Sequence, residues 1–401
     1  MNVGIIGGGP SGMATALLLA RGGVQVFLFE KKDRVGKKLL ATGNGRCNLS
    51  NVDLDLSHFH SVAGGLPEEL IAAFDHRRLR EFFASLNIDI VRESRGKLYP
   101  VTLKASSVLN ALRMALEEAG VVLITSAHVS EIKKRGGAWE IVSTLGNYPV
   151  DGVVLASGGK TFGGKREEKG SYQLLEALGH HSTAFFPSIA ALTLNSPHLR
   201  GLSGTKVVGR VRLMNDSGEL ISSTGEILWA ADGISGPPVL DLARKVHEIP
   251  GRKWVEFPLI NHLEQLPENY REILAERLEK RPLEEVLTGL VDKKWLSVLR
   301  RELELDGEDV AGGEAAEALL ALLFAFPMEV TGTRGFESAQ GSCGGLAMGE
   351  FHPHSLESKL LPGIYATGEV LDVDGDCGGY NLHFAWASAH AVAEEILSKS
   401  L

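Results

Sequence analysis

The sequence predicts an α/β protein in which one parallel-sheet domain is assembled from both ends of the chain, around a β-rich, barrel-like insert and a small helical subdomain. Three observations predict it. The chain opens on an apolar strand, a glycine loop and an Ala/Leu-rich helix, "NVGIIGGGPSGMATALLLA". Near its end a second glycine-rich loop runs into another Ala-rich helix, "GEVLDVDGDCGGYNLHFAWASAHA". Between them the apolar residues alternate over 191–230 and then recur at helical spacing over 264–326.

The first stretch places Gly7, Gly9 and Gly12 at the spacing G-x-G-x-x-G, with Pro10 and Ser11 inside it, and helix continuing from Met13 to Arg21. Gly7 permits the tight turn, Gly9 lets a pyrophosphate approach the backbone, and Gly12 lets helix and strand pack closely. The N–H groups at the helix start face the anion. A second apolar strand, 24–30, ends in Glu30, where a carboxylate accepts from ribose hydroxyls and disfavours a 2′-phosphate. Glycines alone would fit an ordinary surface turn. The strand before, the helix after and the acid beyond make this a dinucleotide-binding, Rossmann-like unit.

The next elements follow in order. "LLATGNGRCNLSN" at 39–51, with Lys37 and Lys38 just upstream, is too rich in Gly and Asn for a regular element and suits a loop wrapped on a flat ring. "SSVLNALRMALEEAG" at 106–120 is an amphipathic helix, and 127–144 a hairpin turning at Gly136 and Gly137, the start of a β-meander crossover. "GVVLASGG" at 152–159 is a buried strand ending in Gly158 and Gly159. The 191–230 stretch reads as an antiparallel sheet or barrel to which "FPLI" at 257–260 returns, and Pro282 marks the boundary between two helices of the helical segment. The expected domains are 1–184 with 336–401 for cofactor binding, 185–263 with 327–335 for the β-rich insert, and 264–326 for the helical subdomain.

With 401 residues the chain exceeds the size of one core. Its formal charge of -9 and its single dense basic stretch, "KKDRVGKK" at 31–38, exclude a broad cationic field, so neither nucleic acid nor a membrane is an expected partner. No apolar run approaches the roughly 20 residues that span a bilayer. There is no charged n-region ahead of an apolar stretch, and Cys47, Cys343 and Cys377 form neither a disulfide framework nor a metal spacing. A cytoplasmic location and a small-molecule substrate are the expectations. No metal is expected.

"GKKLLATGNGRCNLSN", "GKLYPVTLKASSVLNAL", "LASGG", "GISGPPVLDL" and "GEVLDVDGDCGGYNLHFAWASA" together resemble the bacterial YhiN/BaiN-like flavoproteins, an aminoacetone-oxidase-related family of two-dinucleotide-binding-domain FAD oxidoreductases, along essentially the whole chain. The resemblance implies non-covalent FAD held by Gly7, Gly9, Pro10, Ser11, Gly12, Glu30, Lys31, Lys38, Gly45, Arg46, Cys47, Asn48, Val129, Ala156, Gly158, Gly159, Gly368, Glu369, Tyr380, Asn381 and Leu382. It implies that Glu369 holds the ribityl chain and that the helix start at Tyr380 faces the pyrophosphate and the flavin pyrimidine. This chain departs from the family at Ala231 and Asp232 (usually Thr-His), in the loop 163–172, and at Cys343, positions where substrate contact or domain packing is expected.

A flavin performs the electron transfer itself, so the protein supplies binding, orientation and control of the ring. No second dinucleotide fingerprint is present, so NAD(P)H, if it is the donor, docks transiently. Without C-x-x-C a relay thiol is not expected, and Cys47 is read as a packing residue. His383 is read as a neighbour of the helix start rather than a base. Three readings stay open: an amine oxidase, a reductase of an activated double bond, and a flavin-binding redox sensor or scaffold. A tRNA-modifying flavoprotein is a further alternative, but it would need a basic RNA-binding face, and the acidic balance argues against that.

Overall fold

The computed structural model describes residues 1–161, 171–304 and 313–400. It divides into two compact units, Met1–Phe186 with Gln340–Leu401, and Pro187–Ala339.

The first unit is built on a five-stranded parallel sheet in the order Ile364–Ala366, Gly152–Leu155, Asn2–Ile6, Gln25–Phe29, Val122–Ile124. Its central strands are short β-branched runs buried on both faces; Gly152–Leu155 is buried at every position. Such a sheet needs helices on its flanks. Pro10–Arg21 supplies one, with Met13, Ala14, Ala16, Leu17 and Leu19 all buried, because it lies between the sheet and the C-terminal helix Tyr380–Ser400. The helix begins at Pro10, three residues before Met13: proline at the first helical position loses nothing, since that N–H has no intrahelical partner.

The expected hairpin has a third member, so that Val129–Arg135, Ala138–Ser143 and Gly146–Val150 form an antiparallel meander. It is tied to the main sheet where the Ala127 N–H donates to the Glu30 carbonyl. The amphipathic helix spans Ala105–Glu118.

The second unit is a closed six-stranded barrel, in the order Leu192–Asn195, Gly233–Ser235, Gly218–Ala230, Lys206–Asn215, Trp254–Phe257, Phe326–Thr333. Alternate residues Val207, Gly209, Val211 and Leu213 of one strand are buried, the period-2 pattern of a filled barrel. Helices Tyr270–Lys280, Leu283–Thr288, Lys293–Glu302 and Glu314–Phe324 belong to the same unit, and Pro282 caps the second. Trp295 of the third helix packs edge-on against Trp229, Phe257 and Phe326 at centroid separations of 5.3, 5.9 and 5.1 Å.

One expectation is corrected here. The strand placed at 257–260 ends at Phe257, because Pro258 has no N–H to give the ladder. The Val208 N–H instead donates to the Asn261 side chain at 2.8 Å. Ala231 and Asp232 form a turn between two barrel strands, where Asp232 is fixed by the Arg334 guanidinium, which holds its carboxyl below the usual range. Residues 163–170 of the departing loop lie outside the described residues.

Candidate cofactor site

The site lies at the carboxyl ends of the parallel strands, where open α/β sheets place their ligands. Gly7 has φ +115°, and a Cβ there would sit 2.4 Å from the Ala156 carbonyl oxygen. A Cβ on Gly12 would sit 1.9 Å from the Gly7 oxygen, so helix, loop and strand close on one another only without side chains. Gly9 differs: its Cβ position is open, with the Ala156 oxygen 4.0 Å away. The Glu30 carboxylate closes the loop by accepting from the Gly8 N–H at 2.9 Å and the Lys32 N–H at 2.8 Å. Lys31 is exposed beside it, and Val129 is buried at the start of the meander, two residues past the Ala127–Glu30 bond.

The strands Gly152–Leu155 and Ile364–Ala366 end side by side in Ala156–Gly159 and Thr367–Glu369. Glu369 is the hub: one oxygen accepts from the Ser342 N–H (3.0 Å) and hydroxyl (3.2 Å), and the other from the Gly159 N–H at 3.4 Å and the Lys38 ammonium. Lys38 also contacts the Thr161 hydroxyl. Ser11 reaches the Thr367 carbonyl at 3.4 Å, which brings the first helix to the last strand.

The loop 43–47 is in the left-handed region at Gly43, Asn44, Gly45 and Cys47, a run that small and amide residues tolerate. It buries Cys47 and Asn48 and leaves Gly45 and Arg46 exposed, with the guanidinium 4.6 Å above the Tyr99 ring. Burial pushes the Cys47 thiol up to about 12, so it is a neutral packing group. Among the described residues, Asn48 Oδ1, Ser157 Oγ and Thr367 Oγ1 are buried without a hydrogen-bond partner. Three orphaned polar atoms on the three converging loops fit a polar ligand laid along the strand ends.

The C-terminal helix begins at Tyr380, which is buried, as is Leu382. The Asn381 side chain donates to the Gly375 carbonyl at 2.7 Å and accepts from its N–H at 3.0 Å, so both of its amide atoms already have protein partners. His383 is fully buried against Ser50, 2.9 Å from Nδ1, and burial lowers it to about 3; it is a neutral structural imidazole.

Several neighbours carry no sequence signal of their own. Ser342 and Thr161 reach the Glu369–Lys38 pair from distant segments. Asp372 and Asp376, inside the "DVDGD" stretch, bind residues 58–63. The alternation of acids was visible; their partners were not, because the pairing joins positions more than 300 apart.

A family model described as "HI0933-like protein Rossmann domain" matches residues 1–395. The chain belongs to the HI0933-like family. It is 34% identical over 400 residues, 97% of each chain, to a 3-dehydro-bile acid delta(4,6)-reductase of Clostridium scindens. It is 25% identical to the ribosomal RNA dihydrouridine synthase of Haemophilus influenzae, over 98% of this chain and 97% of that one. The 3-ketosteroid delta1-dehydrogenase structure from Sterolibacterium denitrificans shares the fold, with a TM-score of 0.50 at 12% identity and 99% of each chain covered. This member is therefore an FAD-dependent oxidoreductase, as the YhiN/BaiN-like resemblance implied. Among the described residues no helix is long and apolar enough to cross a membrane.

Proposed function

We propose that this protein saturates a carbon–carbon double bond conjugated to a carbonyl in a small polycyclic or heterocyclic substrate, using electrons from NAD(P)H. One observation carries the reading: the full-length relatives at 34% and 25% identity are named for one chemistry on unlike substrates. A delta(4,6)-reductase of a 3-oxo steroid and a uridine-to-dihydrouridine enzyme both add two hydrogens across an alkene that a carbonyl activates. Bound FAD supplies the electron-pair transfer from nicotinamide to alkene.

The residues assigned to FAD divide along its length. The open Gly9 and the N–H groups of Ser11 and Gly12 receive the pyrophosphate, Glu30 and Lys31 the adenosine ribose, and Val129 the adenine edge. Glu369, fixed by Ser342, Gly159 and Lys38, receives the ribityl hydroxyls. Gly45 to Asn48 and the first N–H groups of the helix at Tyr380 meet the ring and its polar edge. Asn48, Ser157 and Thr367 offer three of the buried polar atoms that, among the described residues, have no hydrogen-bond partner.

A small substrate is favoured over RNA by the charge arrangement of the barrel unit. Lys206, Arg210, Arg212, Arg271 and Arg281 each face a carboxylate, Glu226, Glu219, Glu256, Glu317 and Glu285 respectively. Cations neutralised in place release few counterions from a phosphate backbone.

The test is anaerobic stopped-flow of the FAD-loaded protein. NADH or NADPH is expected to bleach the flavin, and a 3-oxo-4,6-diene steroid to restore its colour without oxygen. Colour restored by uridine-containing RNA alone would replace the small-molecule reading. Bleaching by an amine but not by nicotinamide would establish the oxidase, and inertness to every donor the sensor.

A further inference from the structure

Residues 58–63 are fastened to the loop that leads into the C-terminal helix by carboxylates of that loop. Buried Asp372 accepts from the Ser61 hydroxyl at 2.9 Å and from the N–H groups of Val62 and Ala63 at 3.0 and 2.9 Å. Asp376 accepts from His58 Nδ1 at 2.9 Å and His60 Nε2 at 2.8 Å, and its N–H donates to the His58 carbonyl. Between these anchors Phe59 and His60 pair antiparallel with Gly375 and Asp374.

His58 is the unusual member. Its second nitrogen, Nε2, faces Asp53 Oδ2 at 3.3 Å. A neutral imidazole has one N–H and can donate to one carboxylate; only the imidazolium donates to both. The ring also lies flat on Tyr380, with centroids 4.4 Å apart and planes 17° from parallel, the geometry in which an aromatic face attracts a cation. Tyr380 is the first residue of the helix whose N-terminal turn is assigned to FAD.

We propose that His58, as an imidazolium held between Asp53 and Asp376, is a positioning residue that seats Tyr380 and the first turn of the C-terminal helix against FAD, so that cofactor affinity follows its protonation. The inference rests on the assignment of Tyr380 to Leu382 to FAD. The titratable groups facing His58 are Asp53 from the preceding turn, Asp376 from the loop, His60 across the shared carboxylate, and Tyr380 from the helix. Burial works against the His58 cation, but the hydrogen bonds to Asp376 and Asp53 together outweigh it and raise His58 above the ordinary histidine value. Burial likewise works against the Asp376 anion and is outweighed by His60 and His58, so Asp376 stays ionised. The clasp is therefore complete below the ordinary histidine value and opens as pH rises through the raised one.

The experiment is fluorescence titration of FAD into apo-protein between about pH 5.5 and 8.5, the range in which histidines change charge. Wild type is expected to weaken by roughly fivefold on the alkaline side, the loss expected of one partly exposed charged contact. His58→Gln is expected to give a flat profile at the weaker level. Asp53→Asn keeps the histidine but removes one anion, so the midpoint moves to lower pH. A flat wild-type profile, or a slope that persists in His58→Gln, overturns the inference and leaves the FAD assignment standing. Should His58→Gln not fold, Asp53→Asn decides: an unmoved midpoint overturns the inference. Glu369→Gln is the control, expected to weaken FAD equally at every pH; unchanged affinity there removes the site assignment and the inference with it.

Discussion

Gly12→Ala tests whether the close approach of helix, loop and strand holds the cofactor. The added Cβ would lie 1.9 Å from the Gly7 oxygen, 3.1 Å from the Ala156 Cβ and 3.2 Å from the Gly7 carbonyl carbon. Real Cβ contacts essentially never fall below 3.0 Å, and the obstacle is backbone, so the helix start must retreat from the loop by at least 1.1 Å. Overpacking of this kind costs about 1–3 kcal/mol of stability. The larger loss is to binding, because the retreat takes the helix N–H groups out of hydrogen-bond range of an anion. At about 1.5–3 kcal/mol per charge-assisted bond, one lost bond is roughly a 10- to 150-fold weaker Kd. Gly9→Ala separates the two effects: its Cβ meets no protein atom within 4 Å other than the Ala156 oxygen at that limit, and its φ of -81° suits alanine. Thermal melting of both apo-proteins and FAD titration of each would check this. Gly12→Ala should lower Tm and affinity together, whereas Gly9→Ala should keep Tm and lose affinity alone. Gly12→Ala binding FAD within threefold of wild type at an unchanged Tm would refute the reasoning.

Glu369→Gln leaves the Lys38 ammonium without its anion and turns an amide toward the Ser342 or Gly159 N–H; FAD affinity should fall by roughly 10-fold, measured by titration. Cys47, buried with its thiol raised to about 12, should escape alkylation by iodoacetamide in the native protein at pH 8, while half-exposed Cys377 reacts; mass spectrometry of peptides reads both. Trp295→Ala removes a fully buried ring packed on three others and should cost about 3–5 kcal/mol in denaturant unfolding. A loss under 1 kcal/mol would show that the barrel core does not depend on that ring.

The sheet was legible because its first strand is a short apolar run that leads into G-x-G-x-x-G, a helix and a second strand ending in an acid, a combination that a dinucleotide loop requires. Gly7, Gly9 and Gly12 therefore announced both a shape and a ligand. The barrel was legible from alternation, but not where its Trp254–Phe257 strand stops: Pro258 ends the strand, and the Asn261 side chain takes over as acceptor. The partners of Glu369 and Asp376 were illegible for a different reason. Ser342, Lys38, His58 and His60 reach those carboxylates through two-residue pairings and loop ends, whose register is set by tertiary packing rather than by any local period. His383 shows the converse, a histidine in a suggestive place that burial leaves neutral and structural.

The interleaving of the two units along the chain has a consequence for biogenesis. During synthesis the barrel unit, Pro187–Ala339, is complete before Ile364–Ala366 and the C-terminal helix have left the ribosome. At about 5–20 residues per second, the nascent sheet waits roughly 10–40 s after its first half emerges for its last strand. For that interval the edge of Gly152–Leu155 that later pairs with Ile364–Ala366 has no partner. The Ser400 hydroxyl finally comes to rest 3.0 Å from the Met1 sulfur. A circular permutant joining these neighbouring ends, and opened in an exposed turn of the barrel, would make the nucleotide-binding body contiguous and abolish the delay.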